Sequence, residues 1–70
     1  MTNAELKAAL QNRSPVICRS TRYGEAKYKC VYAIRYTLDK ANKVIIQAEL
    51  LDKNKNSIRV ANASEVFLDE

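Results

Sequence analysis

The sequence predicts a mainly β fold, a short N-terminal helix followed by a five-stranded, SH3-like antiparallel barrel. Three observations carry the prediction: a helix-capping pattern at Thr2 and Glu5, a switch from helical to two-residue apolar spacing after Pro15, and polar Asn- and Asp-bearing turns between the alternating runs. The alternative is an α+β arrangement in which the helix packs on one face of an antiparallel sheet. Either way the 70 residues read as a single domain over 1–70, with the helix at 2–13 and the small barrel at 15–70. A chain of this length buries only about 60% of the surface its unfolded form exposes, so its few apolar faces must all be used.

Thr2 with Glu5 three positions on is a capping box, in which each side chain accepts from a backbone N–H left free at a helix start. The helix formers Ala4 to Gln11 follow, with Leu6, Ala9, Leu10 and Arg13 on one face. Ser14-Pro15 ends the segment, because a residue before proline is pushed towards extended backbone.

Val16 to Arg19 reads as the first strand, joined to the second through a loop over 20–26 centred on Gly24. That centring sets Cys18 opposite Cys30. In the run 27–38, Tyr28, Cys30, Tyr32, Ile34, Tyr36 and Leu38 share one face, predicted to be core. Lys27, Lys29, Val31, Ala33, Arg35 and Thr37 share the other. The three tyrosines also fit a helical spacing of four, but the β-branched and aromatic content favours a strand. Val44, Ile46, Ala48 and Leu50 alternate in the next strand, after a turn over 38–43. A second turn over 52–57, with asparagines suited to left-handed backbone, leads to a short strand at 58–60. One helical turn at 61–65 and a last strand at 66–68 complete the order. Curling such a sheet into a barrel removes its sticky edges and covers its apolar face.

Composition narrows the function. The longest apolar runs fall far short of the ~20 residues that span a bilayer, and the start has no basic segment followed by an apolar one, so a cytoplasmic protein is expected. The chain has no histidine, no Gly-rich phosphate loop and no paired-cysteine metal spacing, and neither a catalytic role, a cofactor, a membrane nor a small-molecule substrate is expected. Cys18 and Cys30 read as two interior thiols, with a disulfide as the alternative.

The order of elements resembles the Sm-like RNA-binding family, which also sets a short helix before five bent strands. That resemblance would imply an Asp and an Asn around the second hairpin. Asp39 and Asn42 sit there, but with a different separation and without the large apolar residue expected before the Asn. In overall appearance the whole chain also resembles small proteins encoded on mobile elements of Gram-positive bacteria, a resemblance that implies no function.

Charge supplies the candidate site. Between Arg13 and Arg35 there are six basic residues and one acid, whereas Glu65, Asp69 and Glu70 make the end acidic. Arg19, Arg22, Tyr23, Lys27, Lys29 and Arg35 form a basic, tyrosine-bearing segment around the first hairpin, with Tyr28 beside them. A protein partner is expected, since small barrels offer a groove or a strand edge to other chains. The alternative is nucleic acid, with the cations on phosphates and an exposed Tyr23 stacked on a base. Lys29 and Arg35 equally suit the solvated face of a strand whose other side is core.

Overall fold

The computed structural model describes residues 1–22 and 24–69. Helix α1 (Asn3–Asn12) starts as its capping box dictates. The Glu5 N–H donates to Thr2 Oγ1 at 3.2 Å and the Thr2 N–H donates to Glu5 Oε1 at 2.9 Å. The Thr2 N–H, and after it the Thr2 hydroxyl, hold the exposed Glu5 carboxyl below its ordinary value. At the other end Arg13 adopts left-handed backbone, φ 53°, and Ser14 donates to the Ala9 carbonyl, so the last turn is closed before Pro15. Leu6 and Ala9 are buried and Leu10 is half-buried, which places one narrow stripe of the helix on the core. No helix among the described residues is long and apolar enough to cross a membrane.

Among the described residues six strands follow, in two antiparallel sheets. β1 (Val16–Ser20) lies between β2 (Gly24–Tyr28) and β6 (Val66–Leu68). β4 (Val44–Leu51) lies between β3 (Cys30–Leu38) and β5 (Ile58–Asn62). A one-turn 3-10 helix, Ala63–Glu65, carries the chain from β5 to β6 and so from one sheet to the other. The inner faces meet over a core of Leu6, Val16, Cys18, Val31, Leu50 and Val66, packed with the alanines Ala9, Ala48 and Ala61. The fold is mainly β with one short helix, as the periodicity predicts, but the strands among the described residues form two three-stranded sheets rather than one closed ladder.

Both long turns are built on an aspartate. Asp39 Oδ1 accepts from the N–H groups of Ala41 and Lys43, at 2.8 and 2.9 Å, and Asp52 Oδ2 accepts from Asn54. Left-handed backbone falls on Asn42 in the first turn but on Lys55, not an asparagine, in the second.

Three expectations are corrected. The run 27–38 is not one strand: Lys29 separates β2 from β3, and its N–H donates to the Leu51 carbonyl at 2.9 Å while the chain passes between sheets. Its even-numbered residues do not all point inward. The β3–β4 register shifts between Val31 and Ala33, leaving Tyr32 as an extra residue, and a shift of one residue exchanges the faces of a strand. Val31 is therefore buried with Leu50, whereas Tyr32 is 56% exposed. Beyond the bulge the phase is right again, but β3 and β4 overrun the core, so Tyr36 and Leu38 are 51% and 66% exposed. Finally, the first hairpin closes with Ser20 opposite Gly24, not around Gly24. Cys18 accordingly faces Ala26, Cys30 faces Leu51, and both thiols are free.

Candidate functional site

The six basic-segment residues are not gathered on one surface. Arg19 and Lys27 share the outer face of the β2-β1-β6 sheet, since Arg19 opposes Glu25 and Ile17 opposes both Lys27 and Phe67. Arg19 is already engaged there. Its Nε lies 3.4 Å from Glu25 Oε2 and its guanidinium carbon sits 5.0 Å from the centre of the Phe67 ring. Arg22 is exposed in the turn, with its N–H on Ser20 Oγ at 3.1 Å. Arg35 projects from the outer face of the other sheet, opposite Gln47. Tyr23 lies outside the described residues. Tyr28, expected in the core, is half-buried and accepts at its hydroxyl from Arg59 Nη1 at 3.2 Å. That bond holds the Arg59 guanidinium above its ordinary value and links β5 to β2 across the two sheets.

Two of the six line concave sites: Arg19 a shallow groove of about 410 Å³ with Phe67 and Leu68, and Lys29 a larger one. A groove of about 480 Å³ opens where β2 gives way to β3, next to the end of α1. Leu10, Val31 and Leu51 form its apolar part, with Cys30 and Tyr32 beside them. Arg13, Lys29 and Lys55 supply its polar rim, and no carboxylate lines it among the described residues. The close approach of the Lys55 amine, which cannot accept from Lys29 while both are charged, and then desolvation hold the exposed Lys29 amine below the ordinary lysine value.

Neither Arg13 nor Lys55 stands out in the sequence, the first ending a helix and the second filling a turn. Only the register brings them together: Leu51 pairs with both Cys30 and Ile58, which sets the β4–β5 turn beside the start of β3. The thiols differ sharply. Cys18 is fully buried and desolvation pushes its pKa up, while Cys30 is half-buried at the groove.

A second surface lies at the far end of β3. Leu38 opposes Val44 and Tyr36 opposes Ile46, so the four share a face on the overrunning tip of the hairpin. Leu38 and Val44 are 66% and 63% exposed. Tyr36 is tied to the start of α1 by its hydroxyl, which donates to Asn3 Oδ1. Among the described residues no three His, Cys, Asp or Glu side chains gather to hold a metal ion. No protein-family model matches this chain, and neither a curated protein nor a solved structure is significantly similar to it.

Proposed function

We propose that the chain is a non-catalytic, cytoplasmic protein-interaction module with an SH3-like barrel layout. Two features support the layout. A single residue, Lys29, separates β2 from β3 and bonds to β4 through its N–H, which makes the two strands halves of one bent element. The 3-10 turn then returns the chain from β5 to β6 beside β1.

The observation that carries the function is the apolar end of the β3–β4 hairpin. Two aliphatic side chains more than 60% exposed, directly opposite one another and continuous with Tyr36 and Ile46, form a surface that a second protein can cover. Scattered apolar side chains on a surface are ordinary, whereas contiguous ones mark interaction sites. The basic segment makes a weaker docking surface, because Arg19 is neutralised by Glu25 and the remaining cations point in different directions.

Affinity capture from the source cell with three proteins tests the reading: the wild type, Leu38→Asp with Val44→Asp, and Arg19→Ala with Arg22→Ala. The expected result is a protein retained by the wild type and by the arginine variant and lost from the aspartate variant. Nucleic acid retained by the wild type, released steeply by salt and lost from the arginine variant would replace this proposal with nucleic-acid binding.

A further inference from the structure

The groove at the start of β3 is a site separate from the hairpin tip. Val31 and Leu38 are seven residues apart, and at a strand rise of ~3.3 Å per residue the two surfaces lie roughly 20 Å from each other. Its volume, about 480 Å³, falls within the ~300–1,000 Å³ of clefts that bind ligands. Three cationic side chains face it and no carboxylate does, among the described residues. The nearby end of α1 explains only part of that charge. A helix C-terminus presents about −0.5 of an elementary charge, which leaves the three cations in an excess of about +2.5.

We infer that this groove binds an acidic peptide segment, with an apolar side chain set on Leu10 and Leu51 and flanking carboxylates on Arg13, Lys29 and Lys55. An anion between Lys29 and Lys55 relieves the repulsion of two neighbouring ammonium groups, and the aliphatic floor has no use for a ligand that is charged throughout. A nucleic-acid strand is less well matched. Successive bases need several aromatic platforms along a cationic track. Tyr32 is the one aromatic side chain at the groove among the described residues, and Lys27 and Arg35 lie on other faces instead of continuing the line.

Cys30 provides the readout, because it lines the groove while Cys18 is fully buried. The whole protein is treated with iodoacetamide, and alkylation of each thiol is followed by mass spectrometry. Three probes are compared at low salt: a capped DELFDE hexapeptide, its NQLFNQ analogue and a ten-nucleotide oligothymidylate. With DELFDE at about ten times its Kd, Cys30 alkylation slows about tenfold. In the Lys29→Glu, Lys55→Glu double variant that protection is lost. Both changes are at exposed positions, and an unchanged slow rate at Cys18 verifies that the variant remains folded. The inference is overturned if DELFDE gives no protection, if NQLFNQ or the oligonucleotide protects as well as DELFDE, or if the double variant is protected like the wild type. None of these outcomes bears on the hairpin tip, so the two proposals stand or fall separately.

Discussion

β3 and β4 are hydrogen-bonded to one another along their whole lengths and alternate equally cleanly in sequence, yet only β4 keeps its phase. Ala48 and Leu50 are fully buried in β4, as even-numbered residues should be, whereas in β3 the bulge at Tyr32 puts Val31 in the core and Tyr32 outside. The strands differ in their neighbours. β4 is paired on both sides, with β3 and with β5, so an extra residue would break two ladders at once. β3 is paired on one side within its sheet and can take up an extra residue at the cost of a single ladder. Alternation is therefore a safe guide to facing in a central strand and a weaker one in an edge strand.

Truncations in the central and the edge strand should differ accordingly. The largest effect belongs to the central strand: Leu50→Ala should cost about 2 to 5 kcal/mol by urea denaturation, as a truncation at a site with no exposure. Tyr32→Ala, at a side chain that is 56% exposed, should change stability by no more than about 0.5 kcal/mol. If Tyr32→Ala proved the more damaging, the bulge would be misplaced and β3 would follow the same phase as β4. Tyr28→Phe should cost about 1 kcal/mol, through the lost bond from Arg59 that ties β2 to the far sheet.

Thr2→Ala should cost about 1 kcal/mol at neutral pH, by removing the helix cap. Its pH dependence has a definite sign. Because the folded Glu5 carboxyl lies below its ordinary value of 4.5, its contribution is complete above that value and is lost as the pH falls through the folded one. Thr2→Ala keeps the backbone N–H that is the larger cause of that shift, so its penalty should shrink only slightly on acidification, while Glu5→Gln should remove the pH dependence altogether. Arg19→Ala should have the smallest effect, about 0.5 kcal/mol or less and weaker still in salt, since both members of the ion pair are more than half exposed.

The capping box, the two aspartate turns, the 3-10 turn and the facing of β4 were all legible in the sequence, because each rests on neighbours in the chain. The break at Lys29 and the bulge at Tyr32 were not, since no glycine or proline marks either one. The exposure of Tyr36 and Leu38, and of Val44 opposite, which was expected inside with the rest of its strand, was hidden for another reason: alternation identifies a face but not how far the opposing layer extends along it. The first-hairpin register failed on the assumption that its glycine marks the middle, whereas Gly24, at φ +77°, follows the turn and opens β2. Of the candidate residues only Lys29 was found at the groove, and its partners Arg13 and Lys55 come from a helix end and a distant turn.

The placement of β6 beside β1 has a kinetic consequence. Val16 sits opposite Leu68, whereas Leu38 and Val44 meet across a six-residue separation. Loop-closure entropy grows as (3/2)RT ln n, so bringing together segments about fifty residues apart costs about 3.5 kcal/mol against about 1.6 for the local hairpin, before a shared constant. Refolding should thus order the β3–β4 ribbon early and dock the final strand late. Until it docks, one side of β1 keeps its backbone donors and acceptors open to whatever other extended chain is nearby.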